Sequence, residues 1–310
     1  MVSSSVQSNR KHLITVILAF AAVYIIWGTT YLGIRLAIET IPPFFMAGSR
    51  VLTAGTILYL FLRLRGAPKP TRLHWRSAVI VGALLLGGGS GLVTWAEQEV
   101  PSGTAALIIA TVPLWIALFD WLLFCGGRPD RRVTAGLILG LIGIFLLIGP
   151  GQILGTADFS FFFLFVLLLS PILWSFGSLY SRGATLPKDA FMGSAMEMIG
   201  GGVVLLVAGL LTGEQAQLNL AAISRTSFFV WLYLIFFGSI IAFSAYIWLL
   251  KEVPATKATT YTYVNPVIAV FLGWLILDET ITPITILSSA IIITAVILIQ
   301  TAGGYSVRSK

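Results

Sequence analysis

Apolar runs of about twenty residues, separated by short stretches rich in Arg, Lys, Pro and Gly, occupy almost all of this chain. Runs of that length cross the ~30 Å hydrocarbon core of a bilayer as helices. The pattern predicts ten spans, at about 13–37, 43–63, 77–97, 101–124, 133–149, 160–180, 191–212, 228–250, 255–277 and 282–301. The first run exceeds the roughly 7–15 apolar residues of a secretory signal, so it reads as a retained span.

One stretch occurs twice. Trp95, Glu99-Val100-Pro101, Pro113 and Trp121-Leu122 reappear 153 residues later as Trp248, Glu252-Val253-Pro254, Pro266 and Trp274-Leu275. Earlier in each half, Trp27-Gly28 is echoed by Trp174-Ser175, and Met46-Ala47-Gly48-Ser49 by Met192-Gly193-Ser194. The repeat divides the chain into residues 1–150 and 151–310, five spans each. Five is odd, so the second half enters the bilayer from the opposite side to the first. Inverted-topology repeats of this kind are found in many secondary transporters, with the substrate site near the midplane between them.

Composition agrees with a polytopic all-α membrane protein. Of 310 residues 57% are hydrophobic and only 10% charged, against about 25% charged in a soluble domain. The net charge of +7 reflects loop residues and gives no reason to invoke nucleic acid. A cytoplasmic N-terminus places sixteen Lys and Arg inside, with only Arg35 and Arg225 outside and Arg50 within a span. The positive-inside rule then puts both termini in the cytoplasm. A single cysteine, Cys125, leaves no intrachain disulfide to form.

The runs Tyr24-Ile25-Ile26-Trp27-Gly28-Thr29-Thr30-Tyr31, Pro42-Pro43 with Arg50, Val100-Pro101-Ser102-Gly103 and Tyr261-Thr262-Tyr263-Val264-Asn265-Pro266-Val267 resemble EamA-type proteins, and among them the YedA-like subgroup. These are ten-helix members of the drug/metabolite transporter superfamily. The resemblance covers nearly the whole chain. It implies alternating access and export or exchange of small metabolites such as amino acids, in a bacterial inner membrane. It does not identify the cargo, because fold does not settle function.

The residues themselves mark a candidate site. Pro113 and Pro266 each lie twelve residues past their turn prolines, roughly 18 Å along a helix and near the midplane. Proline inside a helix frees a carbonyl, so the pair reads as hinges beside a central cavity. Tyr261 and Asn265 share a helix face, and with Tyr263 they form the expected cavity wall of the ninth span. Trp27, Thr30, Tyr31, Trp174, Ser178 and Ser244 add aromatic and hydroxyl groups, while Trp95 and Trp248 read as interfacial anchors.

Ionisable residues inside a span are costly and point to function. Arg50 and Glu197 sit roughly 10 Å in from opposite faces, too far apart in depth to pair. Each is expected in a closing contact on its own side, Arg50 with Glu97 or Glu39 and Glu197 with Lys257 or Lys188. Proton coupling at Glu197 is left open. Gly87-Gly88-Gly89-Ser90-Gly91 lacks the Lys-Ser/Thr of a phosphate loop and reads as helix packing, as do Gly136 with Gly140 and Gly200 to Gly202.

No metal-ligand cluster, nucleophile–base set or dinucleotide fingerprint stands out, so neither an enzyme nor a cofactor is expected. The partners expected are a small molecule and the lipid bilayer, with the chain a monomer or weak homodimer. The alternative is a flippase or exporter of a lipid-linked or amphiphilic drug-like substrate.

Overall fold

The structure is a computed structural model that describes residues 2–99, 105, 108–124, 126–148, 161–268 and 282–302. The described chain is all helical. The helices are α1 (Val2–Ile38), α2 (Pro43–Leu64), α3 (Arg72–Ala96), α4 (Val112–Leu123), α5 (Arg131–Ile148), α6 (Phe161–Gly183), α7 (Ala190–Leu211) and α8 (Arg225–Glu252). α9 begins at Ala255–Ala258 and resumes over 261–268, and α10 is Pro283–Thr301. Five of these are long and apolar enough to cross a membrane on their described residues: His12–Ile38, α2, α3, α7 and α8. All ten fall where the hydrophobic pattern predicts spans, and most boundaries agree within a few residues.

Local chemistry sets the ends. Thr71 caps α3: its hydroxyl accepts from His74 N–H at 3.2 Å, and His74 Nδ1 accepts from Thr71 N–H at 3.3 Å. Such reciprocal bonds satisfy donors a helix start would otherwise leave open. Asp189 caps α7 by accepting from Phe191 N–H at 2.9 Å, and Pro43 opens α2 where a missing N–H costs nothing. Gly213, at φ +83°, lets the chain leave α7.

The bundle turns large apolar side chains outward, among them Leu18, Ile25, Leu60, Phe165 and Phe229. Between helices it relies on small residues, which let backbones approach where lipid offers no hydrophobic drive. α2, α3 and α7 form the tightest unit. A methyl group at Gly55 would meet Ala195 O at 2.7 Å, and one at Gly82 would meet Glu197 O at 2.1 Å. α5 and α10 form a second pair, with Gly136 set against Ile299 and Ala295.

Two helices depart from α geometry at their centres. α3 is π-helical over Ala83–Gly91 and α8 over Leu234–Phe243. π-helix is rare, usually a single turn, and concentrated at functional sites. These two segments begin 151 residues apart, close to the spacing of the sequence repeat.

The two proline-bearing spans are also irregular. Among the described residues the fourth span turns at Ala110–Thr111 before α4, which puts Pro113 in a first helical turn and not in a helix interior. α9 breaks at Thr259–Thr260 through tight bonds, Thr262 N–H to Thr259 O at 3.2 Å and Tyr263 N–H to Thr260 O at 3.1 Å. Pro266 lies inside the 261–268 helix that follows.

Candidate functional site

A cavity lies at the centre of the bundle, with about 90 Å³ open to the centres of water-sized molecules. By the roughly 10–15 Å³ one water needs, it has room for several. Both π-helical segments face it, through Leu86, Gly89 and Ser90 from α3 and Gly238, Ser239 and Phe243 from α8.

Aromatic rings make one side of the cavity. Trp27 stands at the middle, with ring centroids 4.7 Å from Tyr261, 5.3 Å from Tyr246 and 5.7 Å from Trp174. Trp174 and Tyr246 lie 5.4 Å apart, and Tyr246 and Tyr261 5.6 Å apart. Edge and tilted contacts at these separations add about 0.5–1.5 kcal/mol each beyond area burial. Hydrogen bonds fix the rings. Trp27 Nε1 donates to Gly238 O at 3.0 Å, Trp174 Nε1 donates to the Tyr246 hydroxyl at 3.0 Å, and that hydroxyl is 2.6 Å from Ser178 Oγ.

The first π-helical segment is held in a similar way. Ser170 of α6 donates to Gly89 O at 2.7 Å. A methyl group at Gly89 would stand 2.5 Å from Trp174 Cε3, so only glycine admits the ring there.

Polar groups are few. Tyr31 and Asn265 both line the cavity. With its amide turned to donate, Asn265 reaches Tyr261 O at 3.1 Å and Tyr24 O at 3.3 Å. Thr30 lines the cavity, but its hydroxyl donates to Trp27 O at 2.8 Å. Arg50 is 7% exposed and lines the cavity, and its Nε has no hydrogen-bond partner.

Of the residues singled out from the sequence, Trp27, Thr30, Tyr31, Trp174, Tyr261 and Asn265 come together here, with Arg50. Tyr263 does not. It packs against Gly140 of α5, in a cluster with α10. Two residues along a helix turn a side chain by about 200°, so the face shared by Tyr261 and Asn265 excludes Tyr263. Ser178 stands behind the aromatic wall, bonded to Tyr246 and Trp174 O. Ser244 is fully buried outside the cavity lining, its hydroxyl unpartnered.

The expected closing contacts are not made. Among the described residues no Lys or Arg lies within 4.0 Å of a carboxylate, and the contact of that kind that is made is between His12 Nε2 and Glu252, at 3.7 Å. Arg50 meets neither Glu97 nor Glu39, and Glu197 meets neither Lys257 nor Lys188. Lys257 Nζ donates to Gln300 O instead, beside a network in which Gln300 Nε2 reaches Thr260 Oγ1 at 3.0 Å. Glu97 is 3% exposed and Glu197 0%, with Glu97 Oε1 and both Glu197 oxygens unpartnered. Long side chains at these depths are packed by neighbouring helices before any oppositely charged group comes within reach.

Sequence reasoning overlooked Tyr246, Ser170 and Ser239, and read the glycines of 87–91 as packing alone. The available signal was the concentration of Gly and Ser at Gly87-Gly88-Gly89-Ser90-Gly91 and Gly238-Ser239, midway along apolar spans. Small residues there leave space for neighbouring side chains to reach the backbone, as Ser170 reaches Gly89 O and Trp27 reaches Gly238 O.

Comparisons with known proteins agree with this architecture. The EamA-like transporter family matches twice, over residues 13–149 and 161–301. The chain is 41% identical over 301 residues to the uncharacterized inner membrane transporter YedA of Escherichia coli (strain K12), covering 97% of this chain and 95% of that one. It is 26% identical to the uncharacterized transporter YoaV of Bacillus subtilis (strain 168), over 93% of this chain and 97% of the relative. A solved crystal structure superposes with a TM-score of 0.72 at 20% identity, covering 92% of this chain and 96% of the other, which is a likeness of fold. With two matches that together take in most of its length, the chain belongs to the EamA-like transporter family, and it is a multi-pass membrane transporter.

Proposed function

We propose that the chain is a secondary transporter of the bacterial inner membrane that exports or exchanges small metabolites, amino acids or related compounds, by alternating access at the central cavity. The observation that carries this reading is the framing of one small aromatic cavity by two long π-helical segments at corresponding places in the two halves. On this reading residues 1–150 and 151–310 are repeats of opposite topology, both termini are cytoplasmic, and the site lies where such repeats meet.

The aromatic wall supports a binding role. Trp27 and Trp174, the two residues that echo each other in the sequence, meet edge-on within it. Each indole N–H is already satisfied by the protein. The rings therefore present apolar faces to a ligand without leaving a buried donor unpaired, which would cost about 1–3 kcal/mol.

Counterflow in proteoliposomes tests the reading. Radiolabelled amino acids and amphiphilic drugs should be compared with and without a pH gradient, in wild type and in Trp27→Ala and Tyr261→Ala. Amino-acid exchange that both substitutions reduce at least tenfold is the expected result. Movement of lipid probes alone, or exchange indifferent to both substitutions, would move the site elsewhere.

A further inference from the structure

Among the residues lining the cavity there is one formal charge, the Arg50 guanidinium. Among the described residues no carboxylate lines the cavity, and none lies within 4.0 Å of Arg50. Its Nε is sealed from solvent without an acceptor. A cation kept in a membrane interior without a counter-ion is expensive, and breaking or omitting a buried pair leaves that cost uncompensated. The other polar groups are neutral, with Thr30 bonded within its own helix and the Asn265 amide, turned to donate, reaching Tyr261 O and Tyr24 O. Ser239 Oγ, also on the lining, is unpartnered too.

We propose that Arg50 is the anchor for a carboxylate carried by the transported molecule, and that the cavity selects small amphipathic carboxylates against cations. This rests on the cavity being the transport site. A guanidinium presents two parallel N–H donors that match a carboxylate in the plane, so a bound carboxylate supplies the counter-ion that the protein withholds. The apolar body of the molecule then lies against Trp27, Trp174 and Tyr261. Among the described residues no acidic side chain lines the cavity to meet an ammonium group, and the nearest buried carboxyl along α3, Glu97, lies one turn beyond the lining residue Val93. The anion is therefore required, while an α-amino group is tolerated and is not itself recognised through charge. Arg50 is thus a ligand-binding residue and not half of a gate.

Three probes that share one aromatic body and differ in charge make the test: 3-phenylpropionate, L-phenylalanine and phenethylamine. Binding to the purified full-length protein is followed by tryptophan fluorescence and by calorimetry. The two carboxylates should bind, and phenethylamine at least tenfold more weakly. Arg50→Gln should weaken both carboxylates at least tenfold, and Arg50→Lys, which keeps the charge but not the fork, should fall between. The wild-type series carries the test by itself if Arg50→Gln does not fold. Equal or tighter binding of phenethylamine, carboxylate binding indifferent to Arg50→Gln in a folded variant, or saturation by none of the probes at millimolar concentration would overturn the proposal. Counterflow of cationic drugs together with any of these results would leave the transport reading standing and remove only the anion anchor.

Discussion

Glycine 82 offers the sharpest test of how the bundle is held. It ends the α-helical part of α3, one residue before the π-helical segment. A β-carbon placed there would stand 2.1 Å from Glu197 O and 2.8 Å from Gly201 N. Both are backbone atoms of α7, so no rotamer change relieves the contact. Ordinary contacts begin near 3.4 Å, and α3 and α7 would have to part by roughly 1 Å, a gap that forfeits a quarter to a half of each dispersion well. Overpacking of this kind costs about 1–3 kcal/mol. Gly193 of the same α7 is the control, since a methyl group there meets nothing within 4 Å. Gly193→Ala should be neutral or gain up to about 1 kcal/mol of helix propensity. The propensity gain is common to both helical positions, so the same one-carbon change separates the two variants by the overpacking cost of about 1–3 kcal/mol. Unfolding in detergent followed by tryptophan fluorescence, at one scan rate for all variants, ranks them even when unfolding is irreversible. Gly82→Ala melting with wild type, or Gly193→Ala losing as much as Gly82→Ala, would refute the close backbone contact.

Tyr246→Phe should cost about 1–3 kcal/mol, because it leaves the buried Trp174 indole N–H without its acceptor. In a double-mutant cycle with Trp174→Phe the second loss should be smaller than the first, and simple additivity would mean the bond carries no energy. Glu197→Gln should keep substrate exchange but abolish the response to a pH gradient if the buried, unpartnered carboxyl carries a proton; an unchanged pH dependence removes that role. Glu214, in the turn after α7, accepts from Phe44 N–H and Phe45 N–H, each at 3.0 Å. Burial raises its carboxyl above the ordinary value, against the lowering effect of those two bonds. A folded value above the unfolded one makes this contribution full below the unfolded pKa and lost as pH rises through the folded one. Glu214→Gln should flatten that part of the melting profile against pH, and an unaltered profile would count against it.

The hydrophobic pattern located the helices because lipid-facing surfaces are uniformly apolar and must run the thickness of the membrane. Their interiors were less legible. Tyr261 and Asn265 could be placed together from spacing alone, since four residues return a helix to nearly the same face. Tyr263 was misassigned because polarity was weighed above phase, and its hydroxyl sits unpartnered against Gly140. Arg50 could be singled out as a charge inside a span, but the pairing expected for it depended on distances no one-dimensional pattern contains. The π-helical segments had no sequence signature of their own. The four glycines between 87 and 91 fit a packing stripe equally well, and indeed Gly88 packs on Leu173 and Gly91 on Leu205. What they also do, lining a cavity through Gly89 and Ser90 and offering the Gly89 carbonyl to Ser170, depends on helix winding, and composition does not report it.

Those carbonyls also bear on why two related halves could serve one site. Trp27 of α1 bonds Gly238 O in the π-helical part of α8, and Ser170 of α6 bonds Gly89 O in the π-helical part of α3. In the proposed repeat α1 corresponds to α6 and α3 to α8, so the same pair of elements is joined once in each half-combination. The registers differ: an indole serves one side and a hydroxyl the other. A second correspondence runs through the broken spans, where Ser175 of α6 donates to Val112 O at α4 and Tyr24 of α1 lies 2.5 Å from Thr260 Oγ1 at the α9 break. Each contact joins a first-repeat helix to a second-repeat helix, with the cavity between them. If the halves exchange conformations during transport, these are the bonds that must lengthen on one side as they shorten on the other. Unequal chemistry at the two ends, indole against hydroxyl and tyrosine against serine, means that the two conformations differ in energy. If the chain works by alternating access, as proposed, it rests in one of them until its cargo shifts the balance.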